Sequence, residues 1–523
     1  PRHCSTHSRR VDLSCMTSQP DLRGARVLDD ESASPLPLRD DTAEFVRTLR
    51  MRAEGKDQIS RTVCDAFDFD SPVTVTRAPG RLDFMGGIAD YSGSLVLQMP
   101  IAEACHVAAQ ARQGRQGGRL TIISPRRDHP SESSDGDHHR AETFTCAMDD
   151  LLRLTYDDAR EMFAKDPNTK WAAYIAGTLL VLATEKRAKF DKRDVTIYVG
   201  SDVPEGKGVS SSAAVEVAAM YALAVLSNVQ FVGDEGGREL AMLCQLCENR
   251  VAGAPCGVMD QMTSSLGREN HLLALLCRPA EVTGHVQVPR GMKIVGIDSG
   301  VRHSNDGGSD YGLVRCAAFM CRAVINKAWP QLGIKHLTDL EPHWFEAQLV
   351  NGGVPGFTTG TDFLASHPGG HGDDVTAIDQ SKTYATGACG GHPVREHRRV
   401  TLVRDWLMGC TETSPMDTPV LSQVGAFMYQ SHRSYGDCGL GSHGTDRLVD
   451  LCEGKGKGRG VFGAKVTGGG SGGTVCVLTN TDDDAACAVK EVCEEYGGDP
   501  TVFVGSSPGA MAFGHLSVVV GDP

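Results

Sequence analysis

The stretch Pro204-Glu-Gly-Lys-Gly-Val-Ser-Ser-Ser-Ala-Ala214 lies between two readable elements: Val195-Thr-Ile-Tyr-Val199 reads as a strand, and Ser212-Ala-Ala-Val-Glu-Val-Ala-Ala-Met-Tyr-Ala-Leu-Ala-Val-Leu226 has the composition of a helix. A strand, a glycine and serine turn and a helix start gather unpaired backbone N–H groups and the positive end of a helix dipole in one place, where a polyphosphate can lie. Gly206, Lys207 and Gly208 form the turn, and Ser210, Ser211 and Ser212 add hydroxyls for phosphate or metal. Two further glycine-rich segments flank it in the chain, Arg77-Ala-Pro-Gly-Arg-Leu-Asp83 and Lys465-Val-Thr-Gly-Gly-Gly-Ser-Gly-Gly-Thr474. The three together read as a phosphate-handling site.

Two familiar phosphate motifs are excluded. A Walker A loop requires Lys followed by Ser or Thr after a fixed spacing, whereas Lys207 is followed by Gly208. Gly468, Gly470 and Gly473 satisfy G-x-G-x-x-G, but Thr474-Val-Cys-Val-Leu478 after them reads as a strand, and a dinucleotide fingerprint must open a helix.

The 523 residues, 40% hydrophobic and 23% charged, suit a globular protein of two domains with appendages. A net charge of -14 disfavours nucleic acid and anionic membranes, so an anionic substrate has to be received by local N–H groups, Arg, Lys and a metal. No apolar run approaches the roughly 18 residues of a membrane span. The 18 cysteines are scattered through apparent core segments without a signal region, which predicts reduced thiols and a cytoplasmic location. Cys244-Gln-Leu-Cys247 lacks a second pair to complete a zinc site and reads as two buried small side chains; His138-His139 reads as part of a solvated loop.

Residues 1–41 read as a disordered or linker-like segment, and the acids at 29–31 argue against a transit peptide. An amphipathic helix is predicted at Ala43–Met51, a first lobe over 42–290, and a second over 291–523. Residues 330–395, punctuated by Gly-Gly, Pro-Gly and His-Pro-Gly-Gly-His, are expected to form an insertion or long loops. A smaller polar interruption at 125–140 reads the same way.

The three segments resemble the motifs of the GHMP small-molecule kinases and, within that superfamily, the sugar 1-kinases of the galactokinase and plant L-arabinokinase type. The resemblance rests on long strings, Arg81-Leu-Asp-Phe-Met-Gly-Gly-Ile-Ala-Asp-Tyr-Ser-Gly93 and Gly253-Ala-Pro-Cys-Gly-Val-Met-Asp-Gln261. It implies an α+β fold of two lobes with the active site in the cleft between them, ATP as co-substrate and Mg²⁺. By the same resemblance Asp260 stands at the catalytic carboxylate and Arg81, in a Pro-Gly-Arg turn, at its neighbouring guanidinium. Ser212 and Glu248 match the metal-associated hydroxyl and carboxylate, and Gly469 and Gly470 lie in the turn that approaches the ATP. Lys207 departs from the small residue usual there, and contacting a phosphate or pointing outward remain equal alternatives.

Galactokinases read Gly-Glu-His-Thr-Asp-Tyr in the first motif, with Glu and His reaching the hydroxymethyl end of the hexose. This chain reads Gly86-Gly87-Ile88-Ala89-Asp90-Tyr91. L-Arabinopyranose has the galactose ring configuration without that hydroxymethyl, so the absence of polar partners at Gly87 and Ile88 suits L-arabinose. Asp90 is then expected to bind ring hydroxyls with Tyr91 beside it, Tyr311 to touch the sugar, and Asp298 to support a strand end. The resulting expectation is phosphorylation of L-arabinose to β-L-arabinose 1-phosphate, against a galactokinase-like kinase for a related sugar, or a catalytically silent sensor of sugar and ATP. Plant relatives carry a glycosyltransferase-like region upstream, and the sequence leaves open whether this chain is part of such a protein, as it does the oligomeric state.

Overall fold

The computed structural model describes residues 26–27, 38–114, 117–126, 140–190, 192–302, 310–410 and 418–521. The His138-His139 pair, most of the 125–140 interruption and nearly all of the 1–41 segment lie outside the described residues. Asp40 and Asp41 do not belong to a linker: they open the helix Asp40–Arg52, where negative charge suits the N-terminal end of the dipole.

Val73–Met85 and Leu95–Gln113 form a long antiparallel hairpin joined through a 3-10 turn at Asp90–Ser92. Val73–Met85 is buried along its whole length, so its sheet must be covered on both faces. That sheet has nine strands. Its main path runs Arg26–Val27, His515–Val519, Val73–Met85, Leu95–Gln113, Arg193–Ser201, Arg119–Ile123 and Thr143–Ala147, while His271–Leu276 pairs the other end of Leu95–Gln113 and carries Glu281–Gln287. One face is covered by the helix Asp40–Arg52, whose Phe45, Val46 and Leu49 pack with Val73, Val75 and Tyr198. The other receives the helix Ser211–Leu226, which is apolar nearly all round and is itself enclosed by the helices Ala173–Lys186 and Gly233–Cys247.

A second, four-stranded antiparallel sheet has the order Val461–Val466, Thr474–Thr479, Lys293–Asp298, Val502–Val504. The helices Thr418–Asp437, His443–Lys455 and Asp483–Tyr496 cover it. The two units are tied by an ion pair with no exposure on either side chain: Lys465 Nζ lies 2.6 Å from Asp83 Oδ2. Gln98 Nε2 donates to the other Asp83 oxygen at 2.7 Å, and the Asp83 N–H donates to Thr467 Oγ1 at 2.6 Å.

Two expectations are corrected here. Residues 330–395 are not long loops: they contain the helices Pro342–Val350 and Gly360–Ser366 and the start of Thr386–Met408, with Phe345, Phe363 and Tyr384 buried against the helix Asp310–Ala328. Some glycines of this region serve close packing, since a Cβ at Gly390 would lie 2.2 Å from Cys321 Sγ, whereas Gly352, Gly356, Gly369 and Gly370 stand in open space between the helices. The C-terminal strand His515–Val519 also pairs with Val73–Thr76 in the first sheet, so the chain from 291 onward does not stay with the second.

Candidate active site

The segment Arg77–Asp83 is strand rather than turn, interrupted by a register shift between Pro79 and Arg81. A bulge of this kind re-aims the side chain that follows it. Here it brings the Arg81 N–H to the Val209 carbonyl at 3.0 Å and sends the guanidinium to Asp260. Arg81 donates from Nε to Asp260 Oδ1 at 2.9 Å and from Nη2 to Oδ2 at 2.8 Å, while Nη1 donates to the Gly208 carbonyl at 2.7 Å. Burial alone would depress the guanidinium, but the Asp260 and Asp83 carboxylates raise it above its ordinary value. It is a fixed cation.

Asp260 sits in the first turn of the helix Met259–Leu266 and receives a third hydrogen bond, from Ser210 Oγ at 2.6 Å. Ser210, which precedes the helix Ser211–Leu226, has φ +64 and does not cap that helix with its side chain. The serine run therefore divides its work: Ser210 turns to Asp260, Ser211 opens the helix, and the Ser212 hydroxyl lies near Glu248, whose carboxyl it helps to hold down. The last glycine segment closes over the same place, since Thr474 Oγ1 donates to the Lys207 carbonyl at 2.8 Å and Tyr435 Oη donates to the Gly468 carbonyl at 2.9 Å. Gly469 and Gly470 lie in the turn between Val461–Val466 and Thr474–Thr479. All three segments thus meet around Arg81 and Asp260. Of the eight non-glycine residues with positive φ among those described, Ile88, Ser210 and Ser471 lie in or beside these segments, where strained backbone tends to mark function.

Asp90 faces the segment that carries Asp260: a Cβ at Gly257 would lie 1.6 Å from Asp90 Oδ2. Its Oδ1 is buried without a hydrogen-bond partner, and burial, reinforced by the Asp260 charge, pushes its pKa up to about 6. Tyr91 and Tyr311 meet edge to face with centroids 5.9 Å apart, and the Arg315 guanidinium stands 5.6 Å from the Tyr91 ring. Ile88, with φ +50, is buried in the cluster that holds Tyr311 and Tyr435. Lys207 does not point outward; its Nζ is 2.8 Å from Asp298 Oδ2, which is itself buried.

Glu248 is buried, and its pKa is pushed up to about 7 by burial and by the Asp260 charge. Gln261 Nε2 bridges Glu248 Oε2 at 2.5 Å and Glu216 Oε2 at 3.2 Å, while Gln261 Oε1 is left without a partner. An all-oxygen set with one carboxylate, one hydroxyl and an orphaned buried oxygen nearby fits a magnesium ion that keeps water and phosphate ligands. Cys244 and Cys247, by contrast, are both buried in the helix Gly233–Cys247, and burial raises both thiols well above their usual range.

Comparison of the sequence with known proteins points to one family. Residues 173–268 match the GHMP kinases N terminal domain, 419–498 the GHMP kinases C terminal domain, and 65–111 the galactokinase galactose-binding signature. The chain thus carries matches to both GHMP kinase domains and to the galactokinase signature. It is 41% identical to the L-arabinokinase of Arabidopsis thaliana over 91% of its own length and 51% of the relative's, so it spans about half of that protein. It is 28% identical to the galactokinase of Chloroflexus aggregans, over 80% of this chain and 88% of that one. The galactokinase of Lactococcus lactis, solved with galactose, shares its fold with a TM-score of 0.64 at 19% identity, covering 86% of this chain and 97% of that one.

Several residues of this site were not legible as such in the sequence. Asp83 and Lys465 lie inside the two outer motifs but are 382 positions apart. Arg315 is held by Asp373, with bonds of 2.9 and 2.8 Å, and donates to the Cys256 carbonyl at 2.9 Å. Glu216 stands one helical turn after Ser212 and was hidden among alanines and valines, where an acid in an otherwise apolar helix was the available signal.

Proposed function

We propose that this protein is a GHMP kinase, an ATP-dependent sugar 1-kinase acting on L-arabinose and producing β-L-arabinose 1-phosphate. The observation that carries the reading is the meeting of three glycine-rich segments around the Arg81–Asp260 pair, with the buried, underused Asp90 carboxylate beside it. Asp260 orients the anomeric hydroxyl and accepts its proton, and Arg81 holds that carboxylate in place and stabilises charge on the phosphoryl group in flight. The turn at Gly206–Gly208 and the N-terminus of Ser211–Leu226 receive the phosphates, with Lys207 poised beside them on Asp298. Ser212 and Glu248 would hold magnesium, which when bound supplies charge neutralisation between the phosphates. Asp90 accepts hydrogen bonds from ring hydroxyls beside Tyr91 and Tyr311. The lobes divide near residues 290–293, with substrate and ATP in the cleft. A cytoplasmic location accords with the sixteen free cysteines among the described residues; no helix there is long and apolar enough to cross a membrane.

L-Arabinose is favoured over galactose by the similarity to L-arabinokinase and by Gly87 and Ile88 standing where galactokinases place Glu and His. The test is release of ADP from ATP with L-arabinose, D-galactose, D-glucuronate and D-xylose in turn. L-Arabinose is expected to give the highest kcat/KM. A preference for galactose would overturn the substrate, and no turnover with any sugar would favour a silent sensor.

Asp90 supplies a pH test. Its pKa of about 6 lies above the ordinary carboxylate value, so the acceptor form is present above that pH and is lost as the pH falls through it. The sugar kcat/KM, which reports the free enzyme, is expected to fall by about tenfold per pH unit below that point. A profile flat down to pH 4.5 would remove Asp90 from sugar binding.

A further inference from the structure

The turn that carries Asp90 is gripped from a part of the chain distant in sequence. The Gly86 N–H donates to Glu396 Oε1 at 3.1 Å, and His392 Nε2 lies 3.0 Å from the Gly87 carbonyl. Both side chains stand on the helix Thr386–Met408, one turn apart, and are 0% and 1% exposed respectively. Because the Gly87 carbonyl can only accept, His392 carries its proton on Nε2, and Nδ1 accepts from Ser434 Oγ at 2.8 Å. Glu396 is fixed in turn by Ser431 Oγ at 2.8 Å and by the Arg399 guanidinium at 2.7 Å. The far end of the turn is held by Thr338 Oγ1, 3.0 Å from both the Ser92 and Gly93 carbonyls.

The backbone held in this way is not one the sequence prefers. Ile88, a β-branched residue, has φ +50, a conformation that such side chains rarely adopt without outside support. A Cβ at Gly87 would lie 1.9 Å from Tyr435 Oη and 2.2 Å from Asp83 Oδ2, so the chain passes that point only as glycine. The space a larger residue would use is filled by Tyr435, whose ring meets His392 edge on at 5.4 Å.

We infer that His392 and Glu396 are positioning residues for sugar recognition, which hold Gly86-Gly87-Ile88 in its strained form and thereby aim Asp90 into the cleft. This inference rests on the sugar-kinase reading. It assigns a purpose to the helical region after residue 330: that region frames the sugar turn, while the phosphate-binding elements come from elsewhere in the chain. Loss of the His392 bond should let the Gly87–Ile88 backbone relax, displacing Asp90 and weakening sugar binding with little effect on ATP.

The test compares the wild type, His392→Phe and His392→Gln, each checked for folding by circular dichroism and thermal unfolding, in ADP-release assays with L-arabinose and ATP varied separately. His392→Phe keeps the ring but cannot donate to Gly87, and is expected to raise the KM for L-arabinose by about tenfold, with kcat and the KM for ATP within about twofold. His392→Gln retains an N–H donor and should recover most of the loss. Should His392→Phe not fold, Glu396→Met, which keeps about the length of the side chain but cannot accept from the Gly86 N–H, is read in the same way. A folded variant with an unchanged sugar KM, or one that loses kcat and both KM values together, overturns the inference while the active wild type leaves the sugar-kinase reading standing. A wild type inactive on every sugar overturns both.

Discussion

Asp260→Asn is expected to lower kcat with L-arabinose by roughly a hundredfold or more while ATP still binds, the scale of losing a general base. The carboxylate receives Arg81 on both oxygens and Ser210 on one, all of them donors. An amide there has no basicity at working pH, and its NH₂ group must face one of those donors. The substitution therefore removes the proton acceptor and leaves the Arg81 guanidinium without its counter-charge. Turnover is read by coupled ADP release and nucleotide binding by calorimetry. Near wild-type turnover in a variant that binds ATP normally would remove Asp260 from the chemistry and leave it a structural partner of Arg81.

Lys465→Met is expected to cost about 3–5 kcal/mol of stability, because removing one member of a buried ion pair strands the other. The Asp83 carboxylate would keep its bond from Gln98 but lose its only cation at contact distance among the described residues. The effect should reach the site, since Asp83 is two residues from Arg81 on the same strand and the pair joins the two sheets. Denaturant unfolding measures the loss. A change of about 0–1 kcal/mol, the range of an exposed pair, would mean that the pair is not sealed from water.

The strand and helix around the proposed phosphate site were legible in the sequence because their signals are local. A strand before Pro204, a glycine and serine turn and an alanine-rich helix after it are neighbours in the chain, and the structure has strand at Arg193–Ser201 and helix at Ser211–Leu226. Arg81 and Asp260 were legible only as members of longer strings, since nothing in their own composition tells that a strand bulge brings them together. What escaped was pairing over distance. His392 and Gly87 are 305 positions apart and Arg315 and Asp373 are 58 apart, and a buried histidine or arginine announces no partner from composition.

Of the two readings of residues 330–395, an insertion or long loops, the long loops failed for a different reason. Glycine and proline punctuate turns, but the same residues allow close approach inside packed helices, and in Thr386–Met408 the glycines at 387, 390 and 391 lie against Leu349, Cys321 and Phe345. Telling the two uses apart requires the neighbour. A similar limit applied to His515–Val519, because a short strand carries no mark of which sheet edge it will join.

Transfer of phosphate to the anomeric oxygen of L-arabinose is read by phosphorus NMR of the product formed from ATP and L-arabinose by the wild-type protein. One new sugar phosphate is expected, its phosphorus coupled to the anomeric proton and its formation in step with ADP. Phosphate on another hydroxyl, or ADP released with no sugar phosphate, would contradict that transfer.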